Sequence, residues 1–487
     1  MRRHSWIDDW RPEDEAFWAT TGRRVARRNL VFSIFAEHLG FTVWVLWSVV
    51  VLNLGAAGLP MSVTESFWLV SLPNLVGAAL RIPYTLAVTR FGGREWTAVS
   101  AAVLLLPVCL LAFLVPGDWL RAQSHDTQFT VMLVCAALAG LGGGNFSSSM
   151  ANISFFYPER CKGFALGLNA AGGNLGVSVV QIVVPLVVVA GVPAGGVALA
   201  NAGLVWLPLI VLATVCAWFF MDSITDAATD LRPYVAAMKE RQTWVIAALY
   251  IGTFGSFIGF SFALPLVIRN TFPEFLAEHE FVRDYLAGLG FLGALVGSLS
   301  RPVGGWLSDR LGGARITLWV FAGMGIATGV AALGVHSRSF VGFLGAFLVV
   351  FLLSGIGNGA TYRMIPMIFG VLGRRAAASN GLDLDATLLD FKRRAAAVIG
   401  MVGAIGAFGG FLVQQVFRVA SQDVATALDG TTGATAARVA QEHAAWSLPA
   451  LGVFIGTYVV CAALTWWAYL RRKLLVTRLP SLAHADV

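Results

Sequence analysis

Long uninterrupted apolar runs separated by short polar stretches dominate this chain, near residues 29–54, 66–89, 97–115, 129–155, 162–190, 202–221, 244–268, 284–308, 316–335, 340–371, 395–418 and 447–470. Each approaches the roughly 20 residues that a helix needs to cross the hydrocarbon of a bilayer. The runs are continuous and do not alternate in strands of about ten residues, so they predict spanning helices and not a β-barrel. Composition agrees: 57% of residues are hydrophobic and 13% charged, against roughly 25% charged in an average soluble protein. The mean hydropathy is +0.73. No soluble fold buries that much apolar surface, so lipid is the solvent for most of the chain.

Charge sets the orientation, because cytoplasmic loops collect Lys and Arg. The N-terminal arm carries Arg23, Arg24, Arg27 and Arg28. Loops after even-numbered spans carry Arg90 and Arg94, Arg160 and Lys162, Lys239 and Arg241, Arg310 and Arg315, then Lys392, Arg393 and Arg394; the tail adds Arg471, Arg472 and Lys473. Stretches 55–65 and 191–201 have neither residue type. Both termini are therefore expected in the cytoplasm, with an even number of membrane spans. This bias accounts for the net charge of +7 and implies no nucleic-acid partner. The five cysteines (Cys109, Cys135, Cys161, Cys216, Cys461) are isolated, with no CxxC pair, which argues against a disulfide framework or a zinc site. The first apolar run begins too late, and is too long, for a cleaved signal peptide. The arm before it, with Trp6, Trp10 and Trp18, reads either as an amphipathic segment on the membrane surface or as a flexible tail.

A polar stretch at 222–243, containing Asp222, Asp226, Asp230, Lys239, Glu240 and Arg241, divides the chain. The expected organisation is an arm (1–28), a six-helix half (29–221), a linker (222–243), a second six-helix half (244–471) and a tail (472–487). The halves repeat each other. Arg81 is followed by Arg90, Gly92 and Gly93; Arg301 is followed by Arg310, Gly312 and Gly313, an offset of 220. Gly140, Gly142 and Gly144 recur as Gly355, Gly357 and Gly359, an offset of 215. A small-residue ladder with Gly167, Ala170, Gly173, Gly176 and then Gln181 recurs as Gly400, Gly403, Gly406, Gly409 and Gln414, an offset of 233. Two six-span halves related by a repeat are the architecture of major facilitator transporters, with the site near the bilayer midplane. The expected fold is thus an all-α membrane protein of twelve transmembrane helices in two pseudo-symmetric halves. The glycines allow close helix packing, and such packing suits helices that slide or rock as gates.

Arginine inside hydrocarbon is costly, roughly 2.5–3.5 kcal/mol on insertion scales. Arg81 and Arg301 each precede a membrane-edge arginine by nine residues, about 13 Å into a core of about 30 Å. Two cations at one depth on repeat-related helices suggest an anion held by both. Guanidinium suits that task because its planar fork can donate two parallel hydrogen bonds to a trigonal oxyanion. The structural alternative is that each arginine bonds carbonyls or a carboxylate on another span. Phe146, Asn174, Tyr250 and Phe254 are candidates beside them: ring faces to stack on, an amide and a phenol to donate.

Three stretches carry a family resemblance. Gly144-Asn-Phe-Ser-Ser-Ser-Met-Ala-Asn-Ile-Ser-Phe-Phe156, Gly172-Gly-Asn-Leu-Gly-Val-Ser-Val-Val-Gln181 and Gly403-Ala-Ile-Gly-Ala-Phe-Gly-Gly-Phe411 resemble the nitrate signature motifs of the nitrate/nitrite porter family. Arg81-Ile-Pro-Tyr84 and Thr253-Phe-Gly-Ser-Phe-Ile-Gly-Phe-Ser261 support it. The resemblance, and not composition, supplies the cargo. It implies that Arg81 and Arg301 clamp nitrate or nitrite, with Phe146 and Phe254 sandwiching it and Asn174 and Tyr250 nearby. It implies a transporter of a bacterial inner membrane; the further expectations are alternating access, a monomer in membrane lipid, and no enzymatic activity, cofactor or metal. The chain departs from the family pattern at Glu37-His38 in the first span and at Arg363 in the tenth. Glu37 and Arg363 could form a buried pair. Alternatively Glu37 or His38 could couple protons to transport, as intramembrane ionisable residues often do. An arginine-only site favours nitrate/nitrite exchange; a protonatable group allows proton-coupled uptake. Rival readings are a porter for another solute, a passive anion channel, and a membrane redox enzyme, whose paired intramembrane histidines are lacking because only His38 lies well inside a predicted span.

Overall fold

The computed structural model describes residues 6–193, 196–225, 232–423 and 445–471. The basic tail residues Arg472 and Lys473 and the linker residues Asp226 and Asp230 lie outside the described residues. The chain runs as α1 (Glu15–Val50), α2 (Val63–Phe91), α3 (Gly93–Leu114), α4 (His125–Phe156), α5 (Arg160–Val188), α6 (Asn201–Phe220), α7 (Arg241–Thr271), α8 (Phe291–Leu311), α9 (Gly313–His336), α10 (Phe340–Asn380), α11 (Leu384–Ala420) and α12 (Leu448–Leu470). Among the described residues, all but α8 are long and apolar enough to cross a membrane. Helix α8 has the length, but Ser298, Ser300, Arg301 and its glycines dilute its apolarity. Its place between α7 and α9 makes it the twelfth span.

Several helices outrun their apolar stretches. Helix α1 begins at Glu15, not near residue 29, because its arginine-rich turns continue the helix beyond the lipid. Helices α10 and α11 likewise extend well beyond their apolar cores, and only three residues separate them. Polarity ends a membrane span without ending a helix.

The repeated Arg-x-Gly-Gly motif has a backbone cause. Gly92 and Gly312 close α2 and α8 at φ of +93° and +86°, which L side chains rarely adopt. The next glycine opens the following helix: a Cβ at Gly93 would strike the Asn152 side chain, and one at Gly313 would strike Met364 and Ser308.

The chain forms two compact units. One holds residues 1–229, 259–295 and 411–447; the other holds 230–258, 296–410 and 448–487. Within the first, the arm is docked on protein. Strand β1 (Trp6–Ile7) pairs in parallel with β2 (Ser223–Ile224), Trp10 donates from Nε1 to the Phe155 carbonyl at 3.1 Å, and Trp18 packs edge-on against Tyr157. Arg28 is ion-paired to Asp222. The end of the bundle near this arm is called the arm side below, and the opposite end the far side.

Contacts at the glycines show the repeat again. Gly142 backs onto the Gly40 carbonyl and Gly357 onto Thr253; Gly77 backs onto the Trp44 indole and Gly297 onto the Phe257 ring. Gly173 backs onto Glu37 and Gly406 onto Tyr250, while Gly176 meets the His38 carbonyl and Gly409 meets Ile251. Each set matches α1 to α7 at an offset of 213 residues. Gly167 differs, since nothing described lies within 4 Å of a Cβ placed there.

Gly142→Ala should therefore lower the thermal midpoint of the purified protein, as overpacking costs about 1–3 kcal/mol. Gly167→Ala should leave it unchanged or raise it slightly, since glycine in a helix costs about 0.5–1 kcal/mol relative to alanine. Equal losses from both substitutions would contradict this packing.

Candidate functional site

Arg81 lies in α2 with 0% exposure, and Arg301 lies in α8 with 8%. In the first unit, the Arg81 guanidinium carbon is 4.7 Å from the Phe146 ring centroid and 5.5 Å from that of Trp44. The indole is fixed in turn, because its Nε1 donates to the Pro73 carbonyl at 2.8 Å and its ring fills the hollow left by Gly77 and Gly143. In the second unit, Arg301 donates from Nη2 to the Tyr250 hydroxyl at 3.2 Å. Its guanidinium carbon is 5.2 Å from the Tyr362 ring and 6.0 Å from Phe254. Tyr250 and Phe254 stack with centroids 5.2 Å apart and planes 7° from parallel. Tyr250 also leans on Tyr362 at 4.7 Å. Gly406 leaves room for Tyr250 and Phe254.

Each arginine is thus set against aromatic rings. A cation facing an aromatic ring is worth about 0.5–1 kcal/mol at the surface and about 2 or more when desolvated. That offsets part of the burial cost while leaving the charge in place. Of the residues singled out from sequence, the structure brings Arg81 together with Phe146, and Arg301 together with Tyr250 and Phe254. Asn174 is 1% exposed in α5, and its Oδ1 has no hydrogen-bond partner among the described residues. Trp44 and Tyr362 are additional members. The sequence signal for Trp44 is its register: Glu37, Phe41 and Trp44 share one face of α1, as Tyr250, Phe254 and Phe257 share one face of α7.

Glu37 thus occupies in the first half the position that Tyr250 holds in the second. Its carboxylate is fully buried and accepts from Asn169 Nδ2 at 2.6 Å. Asn169 also donates to Ser149 at 2.7 Å, and Ser149 shares a 2.7 Å hydrogen bond with Ser33. The repeat-mates of these three polar residues are Val402, Met364 and Ile246, all fully buried. The polar cluster therefore belongs to the first half alone. His38, beside Glu37, makes a 3.0 Å hydrogen bond from Nδ1 to the Gly172 carbonyl. Arg363 is paired with Asp309 at 2.5 Å, with both side chains about half exposed (48% and 52%). The carboxylate that the structure gives Arg363 is thus Asp309, and the group that it sets on Glu37 is the Asn169 amide. Gly403 lies on α11 in the second unit. Among the described residues, no group of three or more metal-ligating side chains is present.

Residues 30–414 match the family model described as Major Facilitator Superfamily. The fold agrees: the xylose transporter XylE from E. coli, solved in a partially occluded inward open conformation, superposes with a TM-score of 0.61 over 93% of this chain and 100% of its own, at 12% identity. The nitrate/nitrite transporter NarU of Escherichia coli (strain K12) is 37% identical over 482 residues, 96% of each chain. The probable nitrate/nitrite antiporter NarK2 of Thermus thermophilus is 36% identical over 439 residues, 85% of this chain and 94% of its own. The chain belongs to the nitrate/nitrite porter family of the major facilitator superfamily; it is a multi-pass membrane transporter and not an enzyme.

Proposed function

We propose that this chain carries nitrate and nitrite across the inner membrane by alternating access, with Arg81 and Arg301 both acting on the anion. The observation that carries this reading is a pair of repeat-related arginines buried in membrane spans, each faced by aromatic rings. The relatives that share nearly the whole chain carry nitrate and nitrite in their names, which selects the cargo among small anions. Nitrate is planar and weakly hydrated. A guanidinium fork can donate to two of its oxygens, and aromatic rings replace a hydration shell that is cheap to remove. Phe146, Phe254, Tyr250 and Asn174 line this anion site. The glycines of α5 and α11 let those helices move against α1 and α7. The remaining parts of the reading are an arm, two six-helix halves, a linker and a tail, with both termini in the cytoplasm and a monomeric working state.

Glu37 makes proton-coupled nitrate uptake the better-supported of the two coupling modes. It is a buried carboxyl at the position where the other half carries the Tyr250 phenol, and it stands in a polar cluster that the other half lacks. Helix α4 carries His125, Asp126 and Cys135 in its far-side half, α5 carries Arg160, Cys161 and Lys162 at its arm-side end, and the mid-span candidates on α1 and α2 are His38, Arg81 and Tyr84.

Purified protein in proteoliposomes tests both parts. Arg81→Lys and Arg301→Lys keep the charge and lose the fork, so each should cut nitrate uptake by about tenfold to a hundredfold, the equivalent of one charged hydrogen bond of about 1.5–3 kcal/mol. Uptake within twofold of wild type, about 0.4 kcal/mol, would remove the clamp. Glu37→Gln should abolish the dependence of net nitrate uptake on an imposed pH gradient while nitrate/nitrite counterflow persists. A variant that still responds to the gradient would remove Glu37 as the coupling group.

A further inference from the structure

Gln181 on α5 and Gln414 on α11 are repeat-mates at the 233-residue offset of the glycine ladders, and Ser48 on α1 and Ser261 on α7 are repeat-mates at the 213-residue offset. All four have 0% exposure, and all belong to the first unit. They lie in the far-side halves of their helices.

The two glutamines are used unequally. Gln181 donates from Nε2 to the Ser261 carbonyl at 2.6 Å and to the Ser48 hydroxyl at 3.1 Å. It thereby ties two helices of the first repeat half to the far-side end of α7, which belongs to the second. Other contacts reinforce the same closure: Trp44 packs edge-on to Phe262 at 5.5 Å, Phe67 stacks on Phe417 at 6.1 Å, and Gln415 donates to Ser71 at 2.9 Å. Gln414, by contrast, has neither amide atom bonded among the described residues. A buried amide left unsatisfied carries its desolvation penalty in full. The mate's Nε2 has two acceptors, although its Oε1, like both amide atoms of Gln414, has no partner among the described residues.

We infer that Gln181 and Gln414 are opposed positioning residues of the far-side gate: Gln181 holds the far ends of α1, α5 and α7 together, and Gln414, satisfied only once those ends part, biases them to separate. The inference rests on the alternating-access reading in one respect, that the far side opens during the cycle. It does not depend on the cargo. A closure stabilised by Gln181 alone would be a trap. An unsatisfied amide beside it brings the closed and open arrangements nearer in free energy, and a carrier needs both populated.

The test uses full-length protein in lipid nanodiscs, with the five native cysteines replaced by serine or alanine and spin labels at A56C and E278C. These exposed positions follow α1 and α7 on the far side. Pulsed electron paramagnetic resonance without anion reads the fractions of short and long distance. Gln181→Met should raise the long-distance fraction several-fold, Gln414→Met should lower it several-fold, and the double variant should return near the parent distribution. Gln181→Asn and Gln414→Asn provide a second pair, expected to shift in the same opposed senses by less. Shifts in one common direction would show a packing role only and overturn the inference, as would a distribution that neither glutamine moves. Because nitrate is absent, a wrong cargo assignment would leave these outcomes unchanged, whereas a single distance in the parent under all conditions would defeat alternating access and the inference together.

Discussion

A guanidinium group inside a membrane-spanning helix has to be offset by its surroundings, because lipid supplies neither water nor counter-charge. Arg81 and Arg301 each meet that constraint with aromatic rings. Arg81 faces the Phe146 and Trp44 rings; Arg301 faces Tyr362 and Phe254 and donates to the Tyr250 hydroxyl. Rings and a phenol lower the cost of the charge without neutralising it. The glycines follow from the same need. Gly77, Gly143 and Gly406 give up their side chains so that Trp44, Tyr250 and Phe254 can stand where they do.

The scaffold is symmetric and the chemistry placed on it is not. Offsets of 213, 215, 220 and 233 residues relate the helices, and the contacts at the glycines obey them. On that common frame the first half carries Glu37 with Asn169, Ser149 and Ser33, where the second carries Tyr250 with Val402, Met364 and Ile246. Gln181 is doubly bonded and Gln414 is not. Repetition makes the bundle. The departures from it are where the two halves differ chemically.

The spans, the helical fold and the buried arginines were legible in the sequence because each rests on local physics: run length, hydrophobicity and the cost of a charge in lipid. Helix ends were less legible. Hydropathy marks where lipid stops and not where hydrogen bonding stops, so α1 began earlier and α10 ran longer than their apolar cores. The same error affected Arg363. On a helix of 41 residues it stands half exposed beside Asp309, where its place in an apolar run had suggested burial against Glu37. Trp44 and Tyr362 were missed because aromatics are abundant in spans; helical register points to Trp44, and three-dimensional contact is what singles out Tyr362. The match of Glu37 to Tyr250 was hidden because the residue types differ, so a search for recurring residues passes over it.

On this reading both buried arginines engage the transported anion. A high-resolution structure of the protein determined with bound nitrate tests it most directly. Nitrate oxygens are expected within hydrogen-bonding distance of the guanidinium groups of both Arg81 and Arg301. Nitrate bound in the spans but touching neither arginine would contradict it.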